Sequence, residues 1–181
     1  MYSYLKQLLR KESDFMQITR AGILSILFIA VVSCTEKDSG LFYETSFESI
    51  NDLKAWKNVN ESQRINKAAP GAGEYSMAVG AGCIQPAAVF EKQVVASGFY
   101  RLRMWARMEE NSASNALFSL TASDAENLSR IDLSVESGEW KLYESEEFEM
   151  RHGENLKLEV FCGGITFSQV NIDGLQILQV R

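Results

Sequence analysis

The chain has 181 residues, of which 46% are hydrophobic and 23% charged, with 12 glycines and 2 prolines. That balance excludes collagen-like and disordered chains and leaves an ordinary globular class. A formal charge of −6 argues against a nucleic-acid partner, whose binders cluster Lys and Arg. The single histidine, His152, removes most His-based metal sites and makes a Ser-His-Asp or Cys-His engine a poor fit.

Residues Ala21–Val32 (AGILSILFIAVV) form a charge-free apolar run of twelve. A membrane-spanning helix needs about 20 such residues, so the run is too short to cross a bilayer and right for a signal-peptide core. Arg20 supplies the positive flank, and the run ends in Val31-Val32-Ser33-Cys34. Small residues before a cysteine in this position resemble the lipobox of bacterial lipoproteins, which implies that Cys34 becomes the acylated N-terminus. The expected division is a signal peptide over 1–33, a polar tether over 34–40 and a folded domain over 41–181. A start at Met16 would leave MQITR before the apolar core, a more compact signal than the one that begins at Met1. Without residues 1–33 the chain has 148 residues and a charge of −8. Such a body binds anionic lipid poorly by charge alone, so anchoring should come from acyl chains. The expected location is the bacterial cell envelope, lipid-anchored, in the outer membrane on its periplasmic or surface face.

From Leu41 onward the hydrophobic period is two. Before the long strands, Ser49–Lys57 (SINDLKAWK) spaces Ile50, Leu53 and Trp56 by three, and Ser49 with Asp52 makes a helix-start box. One or two helical turns are predicted there. Next, Tyr100, Leu102, Met104, Ala106 and Met108 alternate with Arg101, Arg103, Trp105 and Arg107. Ile131, Leu133 and Val135, and then Leu156, Leu158, Val160 and Cys162, repeat the pattern. Turn signals stand at Ser97-Gly98, Ser123-Asp124, Ser137-Gly138, His152-Gly153 and Gly163-Gly164. Alternation of this kind puts one face on a core and the other outward. The prediction is an all-β, two-sheet antiparallel β-sandwich of about eight or nine strands with one short helix.

Several segments, in order, resemble galactose-binding-like jelly-roll domains, the carbohydrate-binding-module type. They are Phe47-Glu48 followed by Trp56, then Gly73–Val79 (GEYSMAV) and Gly98–Arg107 (GFYRLRMWAR). Trp140 with Tyr143 and Phe148 comes next, and Val170–Ile177 (VNIDGLQI) closes the set. The likeness covers 41–181. It implies a structural calcium between the first and last strands with Glu48 and Asp173 as side-chain ligands, a hard oxygen set of the kind that ion takes. Where such domains have a second closing acid, this chain has Gly174. Ile172 and Leu175 both look inward although three apart, which predicts a bulge.

The outward row Arg101, Arg103, Trp105 and Arg107 is the candidate ligand-binding surface. An indole offers a flat face for a sugar ring, and flanking guanidinium forks suit hydroxyls or carboxylates. A solvated strand whose arginines pair with Glu144, Glu146, Glu147 and Glu149 of neighbouring strands accounts for the same residues. Trp56 and Trp140 read as core or loop packing, and His152 as an exposed turn residue. Export to an oxidising compartment permits a disulfide between Cys83 and Cys162, although both lie in apolar surroundings that suit buried thiols. No Walker loop, HExxH, GxSxG or CxxC motif occurs, and the chain is expected not to be an enzyme. The function expected is glycan binding by a membrane-anchored, non-catalytic module. The alternative is a structural or assembly lipoprotein whose exposed sheet docks an envelope protein.

Overall fold

The computed structural model describes residues 40–80, 85–124, 128–163 and 167–181. The leader, Cys34 and the tether up to residue 39, as well as Cys83, lie outside the described residues. Among those described, no helix is long and apolar enough to cross a membrane.

Among the described residues twelve strands make two antiparallel sheets: β1 (Gly40–Thr45), β2 (Trp56–Lys57), β3 (Arg64–Ile65), β4 (Ser76–Gly80), β5 (Ala88–Gln93), β6 (Gly98–Met108), β7 (Ala116–Ser123), β8 (Leu128–Val135), β9 (Lys141–Glu144), β10 (Phe148–Met150), β11 (Asn155–Cys162) and β12 (Gln169–Gln179). The two-sheet sandwich predicted from alternation is present. The strands beyond the predicted eight or nine are short pieces such as β2 and β3, two residues each, in which no period can register.

The predicted helix is a single 3-10 stretch, Ile50–Ala55. Ser49 caps it by accepting from Asn51 N–H (3.2 Å), while Asp52 accepts from Ser49 N–H (3.2 Å). It ends two residues short of the predicted Lys57, because Trp56 and Lys57 pair with Phe90 and Val89 as β2.

The seven-stranded sheet is organised about β12. The whole length of β6 runs along one side of β12. The other side is shared end to end by β4, opposite Gln169–Ile172, and β1, opposite Leu175–Gln179. On its far edge β6 carries β10 at residues 98–100 and β9 at residues 103–106. The second sheet has the order β2-β5-β11-β7-β8.

Inward side chains of both sheets fill one core. Tyr100, Leu102, Met104, Ala106 and Met108 of β6 are all buried, as are Leu156, Leu158, Val160 and Cys162 of β11. Trp56 belongs to this core, tilted against Phe47 and Phe90. Tyr100 is buried at its ring and donates its hydroxyl to the Ala96 carbonyl (2.6 Å), which settles the polar tip of an otherwise apolar residue. Cys162 is a free thiol, and burial pushes it up to about 11.

Candidate functional site

The β6 row stands on the outer face of the seven-stranded sheet. Its arginines meet acids from flanking strands. Arg101 reaches Glu144 (3.6 Å) and Glu147 (3.2 Å), and Arg103 meets Glu144 through Nε (3.2 Å). These contacts follow from register, since β9 sets Glu144 opposite Arg103. Arg107 is 3.5 Å from Glu109 and lies over the Trp140 ring at 5.4 Å. Trp140 therefore packs a guanidinium rather than the core. Glu109 also accepts from Lys67 (2.9 Å) and from Asn171 (2.8 Å), and these bonds hold its carboxyl below the usual carboxylate value.

Trp105 is half-buried between Leu142 on β9 and Asp173 on β12. A Cβ added at Gly174 would lie 3.5 Å from its Cδ1, so the glycine leaves room beside the indole edge. The row thus combines one partly exposed aromatic surface with guanidinium groups fixed by ion pairs. Exposed pairs of this kind contribute about 0–1 kcal/mol each to stability.

Glu48 and Asp173 form the second cluster. Phe47, just before Glu48, is buried at a left-handed φ of 58°. The Arg64 guanidinium donates to the carbonyls of Phe47 and Glu48 and stacks over the Tyr75 ring at 3.3 Å. With its backbone fixed in this way, Glu48 Oε1 accepts from Glu74 N–H (2.9 Å) and Tyr75 N–H (3.0 Å). Gly73 has φ +119°, and a Cβ there would meet that oxygen at 2.2 Å. Asp173 has no solvent exposure. Its Oδ2 accepts from Ala69 N–H (2.9 Å) and its Oδ1 from Gly174 N–H (2.7 Å).

Burial pushes the Asp173 carboxyl up to about 6, and the charge of Glu48 pushes the same way. Among the described residues no lysine or arginine ion-pairs with either carboxylate. Two neighbouring carboxylates without a counter-charge suit a hard cation, and each carboxylate keeps lone pairs beyond the bonds it accepts. No group of three or more His, Cys, Asp or Glu side chains is gathered at one place among the described residues. Backbone carbonyls or water would therefore have to complete a calcium shell.

The predicted bulge is where β12 changes partners. Register shifts between Asp173 and Gln176, with Gly174 at φ +51° and both Ile172 and Leu175 buried. The extra residue turns Asp173 under the 66–75 loop.

No family model matches the sequence, and no curated protein does. Solved structures do. The xylan-binding domain from Paenibacillus barcinonensis, a CBM22-1 module, superposes with a TM-score of 0.58 at 15% identity, covering 80% of this chain and 97% of that one. The two-module tandem from the same organism gives 0.60 at 14% identity, covering 82% of this chain and 47% of that one. The C-terminal family 22 carbohydrate-binding module of a Clostridium thermocellum protein gives 0.56 at 16% identity, covering 78% and 94%. The domain is a carbohydrate-binding-module-like β-sandwich. At these identities the likeness is one of fold, and the chain spans one module of the tandem.

Sequence reasoning identified the two clusters but not what completes them. The donors to Glu48 and Asp173 are backbone N–H groups of Ala69, Glu74 and Tyr75, which carry no side-chain signal. The available hint was the Pro70-Gly71 and Gly73 punctuation of the covering loop.

Proposed function

We propose that this chain is an exported lipoprotein, acylated at Cys34, whose sandwich is a non-catalytic glycan-binding module. The observation that carries the binding part is the half-buried indole of Trp105, held in the open outer face of a carbohydrate-binding-module-like sheet beside Arg101 and Arg103. A flat indole stacks on the apolar face of a sugar ring, and Gly174 beside it leaves the indole edge open. Arg103 spends one nitrogen on Glu144, which leaves its terminal amino groups to donate to hydroxyls or a uronate carboxylate. The fold neighbours include a xylan-binding domain, so xylo-oligosaccharides, neutral and acid-substituted, are the first ligands to test.

In the same reading Glu48 and Asp173 would hold a calcium ion, whose chemistry there would be to neutralise the two carboxylates. Glu48 and Asp173 would supply carboxylate oxygens, while Arg64 holds the Glu48 backbone.

The test is a glycan-array screen followed by titration calorimetry, using residues 36–181 in calcium and in chelator. Binding that is lost in Trp105→Ala, with the melting temperature retained, supports the module. Absence of binding to every neutral and acidic glycan overturns it and leaves the sheet to a protein partner.

A further inference from the structure

Among the described residues, the exposed apolar side chains are distributed unevenly over the sandwich. Loops 94–97 and 151–154 join the sheets at one end, where Gly98 is paired with Met150, and Gln179 with both Gly40 and Tyr100. The second sheet closes the same end with the row Gln93, Asn155, Ser123 and Leu128. Seven large apolar side chains stay exposed among the described residues, and four of them, Leu41, Val95, Phe99 and Leu128, stand at this end. Leu128, Val95 and Leu41 are 70%, 68% and 55% exposed. Isolated surface apolar residues need no explanation, but these four ring one end: Leu41 and Phe99 on the outer face of one sheet, Leu128 on the outer face of the other, and Val95 on the loop between the sheets.

The cations here are already used. Arg181 pairs with Glu147 (3.0 Å) and lies over the Phe99 ring at 4.4 Å, and Arg151 is 3.7 Å from Glu149. The end is therefore rimmed by apolar side chains and paired arginines, and Lys92, beside Gln93, donates to the Phe42 carbonyl (2.9 Å).

Chain length selects the occupant. Cys34 precedes Gly40 by six residues, a tether that can reach at most about 22 Å between Cα atoms. We propose that the Gly40–Arg181 end of the sandwich is a membrane-contact surface, where Leu41, Val95, Phe99 and Leu128 enter the headgroup–acyl boundary. The proposal rests on the lipoprotein reading for its tether. Apolar tips on short turns bury a few ångströms into that boundary, while Arg181 keeps its head in the headgroup layer with its stem along Phe99. The contact follows apolar area and not charge, so it should resist salt, unlike a polybasic attachment.

The test uses the full chain carrying Cys83→Ser, coupled through Cys34 to a maleimide lipid in phosphatidylethanolamine–phosphatidylglycerol vesicles. Val95→Trp and Leu128→Trp report this end, and Phe167→Trp reports a site in the β11–β12 connection at the opposite end. With doxyl-labelled lipid, residues 95 and 128 are expected to be quenched roughly twofold more than residue 167, in low and high salt alike. Equal quenching at the two ends, or quenching abolished by salt, overturns the proposal. The anchor is read separately, by recovery of wild type but not Cys34→Ala in the membrane fraction of expressing cells. If that recovery fails while end-specific quenching persists, only the tether falls. If recovery holds and quenching is absent, the surface falls and this end is left to a protein partner.

Discussion

On the outer face of the seven-stranded sheet, Arg101 and Arg103 reach Glu144 and Glu147 across short surface gaps, while further along β6 Trp105 stands in register with an Asp173 that has no cation. The first group is wet, and each charge meets its opposite. The second is dry, with Asp173 held by two backbone N–H groups and facing the like charge of Glu48. Charge in water is cheap to arrange and cheap to lose, whereas a carboxylate withdrawn from water dominates its surroundings. The stability of this sheet should therefore respond to the buried carboxylate of Asp173, and its binding to the exposed row.

The largest effect expected is at Gly73. Gly73→Ala combines a φ of +119° with a Cβ only 2.2 Å from Glu48 Oε1, so either the loop or the carboxylate must move. A loss of roughly 2–3 kcal/mol is expected, together with any calcium response of the melting temperature. A variant that melts like wild type would show that the Glu48 cluster is not a structural centre.

Calcium itself comes next. In chelator-treated protein, saturating calcium should raise the melting temperature by several degrees, through binding to the folded state alone, and Glu48→Gln should reduce that rise to near zero. No rise in wild type removes the proposed ion.

The pH dependence in chelator sharpens the same comparison. The Asp173 carboxyl sits at about 6 in the fold, against roughly 4 when unfolded. The folded state then holds the proton more tightly. This group's contribution to folding is present in full below about pH 4 and is lost as pH rises through about 6. Wild type should therefore lose stability relative to Asp173→Asn between about pH 4 and about pH 6.5, and the difference should stay constant above that. A difference that does not change across that window would mean that Asp173 has an ordinary carboxyl.

The smallest stability effects belong to the exposed row. Trp105→Ala should weaken glycan binding at least about tenfold while shifting stability by no more than about 1 kcal/mol. Arg103→Ala should cost less than about 0.5 kcal/mol in thermal melts. A large loss of stability at Trp105 would make the indole a structural element and not a platform.

How much of this was legible before the fold was known depended on whether side chains carried the signal. The alternation of Tyr100, Leu102 and Met104 with Arg101, Arg103 and Trp105 announced both faces of β6, because a strand must sort its side chains with period two. Ile172 and Leu175 announced the bulge for the same reason. The acid partners of the arginine row were foreseeable by charge, but the choice of Glu144 and Glu147 over Glu146 needed the register of β9 and β10 on β6. The loop over Asp173 and the clamp of Arg64 on the Phe47 and Glu48 carbonyls were out of reach, since both are built on backbone groups that every residue possesses. The two short strands β2 and β3 hold too few residues to show any period.

β12 follows the other described strands in the chain and is the one around which its sheet is built, flanked by β6 on one side and by β4 and β1 on the other. Its pairing with Gly40–Thr45 joins residues 130 to 139 positions apart, so the first described strand must wait for the eleven residues of β12 before it has a strand neighbour. Assembly order is thereby built into topology: contacts this distant in sequence form slowly, and nothing upstream can substitute for them. Under the proposed export, such late closure would keep the polypeptide threadable during translocation.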